Sequence, residues 1–384
     1  MNARPGRLLL CLAAPLAVAA LAAPASADTP ASDRVEDSPA WQMGERLRPI
    51  IKEAGFEGDL AVSTRPDSPS YNPASYSYID LLPEPWRGDG DGLTWRWASV
   101  TKQMVAILVM QQVERGTMAL DEPVATYLPD FSSANAGTVT IRQLLQHRSG
   151  LPNPDAGYED SDEIPPFYRE DFDGSRDPVT GFCAGPVTGE PGGEWTYNNC
   201  DYMVLGAVLE AVTGESWDAL FKRNIAEPLE LEDYGAYPGE PYTRWGFQGD
   251  EREAERDLAY YQASAGLYGG IFELVAINNA LLTGKLLGEE ALAEMWTGDP
   301  ALGYMALGQW VFEAPLAGCD APVRIVERRG AVGAVQVRNF ILPDQNVSVA
   351  AFSQRAPFDF GEIWMGSGFS HDLLSAVVCQ KGVP

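Results

Sequence analysis

Ser99 and Lys102 stand three residues apart in "WASVTKQMVAILVMQQVERG", Trp97 to Gly116. Side chains at i and i+3 share one face of a helix, so an amine at 102 reaches a hydroxyl at 99. A lysine pressed against apolar walls loses affinity for its proton, and the neutral amine can then act as a base toward a serine. The start of a helix adds free N–H groups and a partial positive charge where an oxyanion would form. The competing structural reading is a helix-capping serine beside a lysine whose head reaches for solvent. A second pair of polar residues favours the chemical one. "WTYNN" places Tyr197 and Asn199 two apart at the entrance of another helix, after a Gly-rich loop. A phenol near cations can lose its proton and relay it to a leaving group, and a carboxamide can hold a substrate amide.

These residues need elements to hold them. The run after Ser99 is apolar on all sides until Gly116, which predicts a buried central helix closed by a glycine cap. An amphipathic helix is expected at about 41–54, and strands at "DLAVST" and "ASYSYIDLL", with "RGDGDG" at 87–92 as a loop. Thr140 and Gln143 form a capping-box pattern before "IRQLLQH". A long acidic, Pro/Gly-rich excursion at about 152–193 reads as either disorder or a functional rim. "NNCDYMVLGAVLEAV" restarts helix and stops at Gly214, and Ser216 caps "WDALFKRNI". "GQWVFEAP", "VRIVERRG", "AVQVRNFILP" and "VSVAAFSQ" then follow at hairpin spacing, with "PDQN" as a turn, and a helix near 370–378 closes the chain. The pattern implies an α/β (α+β) fold: an antiparallel sheet flanked by helices, at about 40–120 and 250–384, carrying an inserted all-α lobe at about 121–249.

The 384 residues provide ample material for a core, and 45% of them are hydrophobic. Acidic residues outnumber basic ones 54 to 27, a formal charge of −27, which argues against a nucleic-acid partner. Arg4 and Arg7, the apolar stretch 8–23 and the small residues Ala25–Ala27 read as an export signal over residues 1–27, leaving no stable membrane span after its removal. The mature part keeps Cys183, Cys200, Cys319 and Cys379. An even count in an exported chain implies two disulfides with three pairings open, and Cys183–Cys200 with Cys319–Cys379 is the expected one. No Cys-x-x-Cys occurs and the chain has two histidines, so neither a zinc site nor any other cofactor is expected. "DFDGSRD" at 171–177 has its glycine misplaced for a calcium loop and reads as a solvated acidic turn.

Four segments occur in a telling order: "WASVTKQMVAILVMQQVERGTMALDEPVATYLPDF", "TIRQLLQHRSGLP", "WTYNNCDYMVLGAVLEAVTG" and "ASAGLYGG". Together they resemble the serine β-lactamase and penicillin-binding-protein family, in its branch of class C β-lactamases, D-alanyl-D-alanine peptidases and related esterases. The Ser-x-x-Lys signature is a known mark of that family. The resemblance implies a β-lactamase/transpeptidase-like fold with its site between two lobes. It implies a nucleophile at Ser99, its lysine at Lys102, and the second motif's tyrosine and asparagine at Tyr197 and Asn199. The third motif departs. Where the family shows Lys or His, a small residue and Gly, this chain has Arg328, Arg329, Gly330 and Ala331. An arginine stays charged, so it would lower the pKa of Lys102 or Tyr197 without shuttling a proton. Arg328 is expected to meet a substrate carboxylate, with Arg329 and Gly330 beside it, and the Ala331 N–H to complete an oxyanion hole with that of Ser99. A Ser-His-Asp triad would have to draw on His147 or His371, the first in the family's structural "H-x-S-G-L" segment. The expected protein is therefore an exported, metal-independent serine hydrolase acting on an ester, a D-amino-acid peptide or a β-lactam. The rival is a catalytically idle relative that binds cell-wall peptides.

Overall fold

The computed structural model describes residues 38–64, 76–80 (backbone only), 94–158, 163–239 and 243–379. The expected signal segment 1–27 and the loop 87–92 lie outside these residues. A six-stranded antiparallel sheet forms the body: β1 (Gly58–Ser63), β2 (Tyr76–Asp80), β3 (Trp310–Ala314), β4 (Val323–Val332), β5 (Val335–Leu342) and β6 (Val347–Ser353), in the order β2-β1-β6-β5-β4-β3. The four C-terminal strands are those read from the hairpin spacing. The β5–β6 turn is Pro343–Gln345 followed by Asn346 at φ 53.

Alternation along the strands divides the core in two. Leu60, Val62, Ile325, Phe340, Val349 and Ala351 pack against helices α1 (Pro39–Ala54) and α6 (Phe369–Val378) on one face. Val326, Val337, Ile341, Ala350 and Phe352 meet the other cluster, which continues through α2 (Thr101–Glu114) into α3 (Ile141–Leu145), α4 (Asn199–Thr213) and α5 (Ile271–Leu282). Helix α2 is buried from Thr101 to Gln112, as a run apolar on all sides requires. Its end is closed by Gly116 at φ 70, whose N–H bonds Val113 O at 2.9 Å. The capping box on α3 is present in both directions, Gln143 N to Thr140 Oγ1 at 3.2 Å and Thr140 N to Gln143 Oε1 at 3.0 Å. Asn198 caps α4 through Cys200 N at 2.9 Å, so the residue after Tyr197 fixes where that helix begins.

Two disulfides join Cys183 to Cys200 and Cys319 to Cys379. The first ties the acidic excursion to the first turn of α4, and the second ties the end of α6 to the β3–β4 connection. Among the described residues no helix is long and apolar enough to cross a membrane. The Cys319–Cys379 bridge closes a 60-residue separation on the sheet's far face. Replacing both cysteines with alanine should lower unfolding free energy by about 2–4 kcal/mol in denaturant titration. Ser99 reactivity should persist in that variant.

Candidate active site

Residues Trp95–Arg96 pair with Leu267–Gly269 in a small three-stranded sheet and deliver the chain to Ser99. Trp97 is buried and donates from Nε1 to Gly269 O at 3.1 Å. Ala98 then turns at φ 47, a left-handed conformation costing an L-residue about 1–3 kcal/mol. Ser99 occupies a tight 3₁₀ turn, Ala98–Val100, directly ahead of α2 rather than inside it. Buried anchors on both sides hold this strained turn: the Trp97 indole, and Thr101 Oγ1, which accepts Leu267 N–H at 3.1 Å. Within the turn only Ser99 remains partly exposed.

The i to i+3 relation brings Lys102 Nζ to 3.1 Å from Ser99 Oγ. Nζ also lies 2.6 Å from Asn199 Oδ1 and 2.9 Å from the Ser264 carbonyl. The Asn199 carboxamide cannot turn around, because its Nδ2 donates to Asp155 Oδ2 at 2.6 Å and to Tyr168 Oη at 2.9 Å. Lys102 is fully buried, and burial, reinforced by the Arg328 charge, holds its pKa well below the ordinary lysine value. A neutral amine has two N–H groups and one lone pair. Asn199 Oδ1 and Ser264 O accept the two hydrogens, which leaves the lone pair facing the Ser99 hydroxyl.

Tyr197 Oη lies 2.5 Å from Ser99 Oγ, on the other side of the hydroxyl. Burial pushes the phenol pKa upward, with Arg328 and the Ser99 hydrogen bond opposing. Desolvation outweighs the arginine charge, so the phenol shifts opposite to the direction expected from Arg328 alone.

Arg328 is fully buried, donating from Nε to Ser99 O at 2.8 Å and from Nη2 to Tyr197 Oη at 3.3 Å. The Asn199 amide bonds Lys102, Asp155 and Tyr168. Arg329 points the opposite way along the strand and is only partly buried, paired with Glu327 at 2.7 Å and Glu362 at 2.6 Å.

Gly330 is a requirement of close approach. A Cβ there would lie 2.7 Å from Trp97 O and 3.2 Å from Ser99 N, both backbone atoms. Strand β3 last pairs at Trp310–Glu327, so residues 328–332 of β4 pair with β5 only. Ser99 and Ala331 line one cavity of about 460 Å³ with Tyr197, Asn199, Trp310 and Arg329. The opposite wall includes Asp155, Tyr158 and Tyr261, with Tyr168 stacked on Tyr261 at 4.0 Å. The acidic excursion is thus a rim of the site. Reasoning from sequence missed Asp155, Tyr168 and Ser264. Ser264 sat within the quoted "ASAGLYGG", but its contribution is a carbonyl, which no side-chain pattern announces.

A family model described as Beta-lactamase matches residues 83–365. The chain belongs to the beta-lactamase family. Curated relatives include the esterase EstB of Burkholderia gladioli, 32% identical over 50% of this chain and 50% of its own length. The esterase/beta-lactamase LipL of Mycobacterium tuberculosis is 25% identical over 71% of this chain and 65% of its own. The chain thus spans about half to two thirds of the length of these relatives. Among solved structures, the D-amino acid amidase of Ochrobactrum anthropi superposes with a TM-score of 0.68 at 19% identity, covering 88% of this chain and 99% of that one. That likeness establishes the shared β-lactamase/transpeptidase fold.

Gly330→Ala should force β4 away from the Ser99 turn. Displacing Ala331, the residue expected to supply an oxyanion donor, predicts a fall in kcat/KM of about 10²–10³-fold. Circular dichroism should show the fold retained.

Proposed function

We propose that this chain is an exported serine hydrolase that forms an acyl-enzyme on Ser99 with an ester, a D-amino-acid peptide or a β-lactam. The observation carrying this reading is Lys102, buried and with both amine hydrogens taken up, its remaining lone pair at 3.1 Å from Ser99 Oγ. Lys102 takes the hydroxyl proton as Oγ attacks the carbonyl carbon. The Ser99 and Ala331 N–H groups receive the oxyanion. Tyr197, still protonated, delivers its proton to the leaving oxygen or nitrogen, and Arg328 stabilises the transient phenolate. The Lys102 ammonium then returns a proton to Tyr197. Water replaces the leaving group, and the same residues run the sequence again to release the acid. The bulk of Arg329 on the cavity wall favours esters and small amides over a β-lactam nucleus. Export fits the two disulfides, which persist in oxidising compartments.

A fluorophosphonate should add one adduct, located on Ser99 by peptide mapping, and Ser99→Ala should lose p-nitrophenyl butyrate hydrolysis without losing its fold. Wild-type rates in that variant would remove Ser99 from the chemistry. Arg328→Gln tests the charge behind the base. Removing a cation beside Lys102 raises the lysine pKa, and the base works only when neutral, so the acidic limb of kcat/KM should move to higher pH. An unmoved limb would deny Arg328 this role.

A further inference from the structure

Arg328 stands on β4, and the residue paired with it on β5 is Asn339. Asn339 interrupts an apolar row, because Val337 and Ile341 lie two residues to either side on the same buried face. Its Nδ2 donates to Gln103 Oε1 at 2.8 Å and to Asn278 Oδ1 at 3.0 Å, and its Oδ1 accepts from Asn278 Nδ2 at 2.7 Å. Gln103 follows Lys102 on α2, and its Nε2 donates to Gln309 Oε1 at 2.9 Å. Gln309 Nε2 donates in turn to Leu307 O at 3.2 Å and to Met295 O at 3.4 Å. Those two carbonyls can only accept, so they decide which way round the Gln309 amide lies. That orientation fixes Gln103, and Gln103 fixes Asn339. The turn carrying Gln309 is pressed against the helix: a Cβ at Gly308 would lie 2.6 Å from Ala106 Cβ and 3.3 Å from Lys102 O. The four carboxamides are at most 1% exposed.

Apolar side chains of the same shape would hold this interface about as firmly, since a buried hydrogen-bonded pair gains little over apolar replacement of both partners. What a fully satisfied amide chain adds is a single allowed alignment. We infer that Gln103, Asn339, Asn278 and Gln309 are positioning residues: their amides lock α2 to the β4–β5 pair and so set where Arg328 and the Gly330–Ala331 backbone stand relative to Lys102 and Ser99. The effect on rate rests on the reading of Lys102 as the base for Ser99. Asn279, the next residue of α5, supplies the contrast. It is also buried, but it bonds Ser63 Oγ on β1 at 2.9 Å and Ser348 Oγ on β6 at 3.1 Å, strands that carry no residue of the site. The charged and titratable groups around Lys102 are Arg328 from β4, Asp155 from the rim, Asp201 and Tyr202 from α4, Tyr197 ahead of α4 and His147 after α3. Of these, Arg328 alone stands on the strand pair that Gln103 reaches.

Gln103→Met keeps an unbranched side chain of similar size and removes the link from α2, leaving the Asn278–Asn339 pair in place. It should lower kcat by about tenfold or more with little change in KM, because small misplacements of reacting groups are costly in rate. Asn339→Leu, which cuts the same link from the strand side, should do likewise. Asn279→Leu should lower the thermal midpoint as much as either and leave kcat unchanged. Titration of Lys102 by ¹³C NMR at Cε needs no turnover. With the Arg328 charge held less closely, the Lys102 midpoint should move to higher pH in Gln103→Met and stay in place in Asn279→Leu. Wild-type kcat in Gln103→Met, an equal loss of kcat in Asn279→Leu, or an unmoved Lys102 midpoint overturns the inference. If Ser99 proved not to be the nucleophile, the Lys102 midpoint would still decide whether the amide chain positions Arg328.

Discussion

A lysine side chain with no access to water is the constraint around which this site is arranged. Burying an ammonium is costly, and a fixed cation nearby adds to the cost, so the lysine pKa is held well below its ordinary value. The surroundings then suit the neutral form: two acceptors for two hydrogens, and a hydroxyl for the lone pair. Each acceptor is itself restrained. The Asp155 carboxylate and the Tyr168 hydroxyl orient the Asn199 carboxamide, and Ser264 offers a backbone carbonyl from the turn preceding Leu267–Gly269.

The larger fold brings three chain segments around one serine, two of them to its hydroxyl and the third to its backbone carbonyl. Helix α2 carries the lysine, the N-terminal approach to α4 carries the phenol, and β4 carries the guanidinium. The segments close so tightly that only glycine fits at position 330, and Ala98 accepts an unfavourable backbone to turn Ser99 outward. The Cys183–Cys200 disulfide pins the rim of the cavity to the same helix that begins beside Tyr197. Strain and close contact of this kind persist only where buried structure on both sides fixes the backbone. The Trp97 indole and the Thr101 hydroxyl do that here.

Much of this was legible beforehand because it depends on local periodicity and spacing. The all-apolar run after Lys102, the capping box at Thr140 and the hairpin strands from 310 to 353 each follow from residues close in sequence. Ser99, Lys102 and Tyr197 were singled out by their setting at two helix entrances, and the structure brings the three together. The contacts of Arg328 and Asn199 were not legible, since those of Arg328 come from segments more than a hundred residues away and those of Asn199 from three separate segments. The direction of the Tyr197 shift was hidden for the same reason. A sequence shows that a cation is near, but the desolvation opposing it is set by the packed fold. Asp155 and Tyr168 lay in a stretch without periodicity, where no pattern marks one carboxylate or phenol among many.

The account stands or falls on the charge state of one side chain, and the chain has only five lysines: Lys52, Lys102, Lys222, Lys285 and Lys381. Protein labelled with ¹³C at lysine Cε can be titrated by NMR, with the Lys102 signal identified by its loss in Lys102→Arg. The account predicts that the Lys102 resonance has the shift of a neutral amine at neutral pH, titrating well below the ordinary lysine value. If Lys102 instead stays an ammonium and titrates near the ordinary lysine value of about 10.4, Ser99 has no base and the account is wrong.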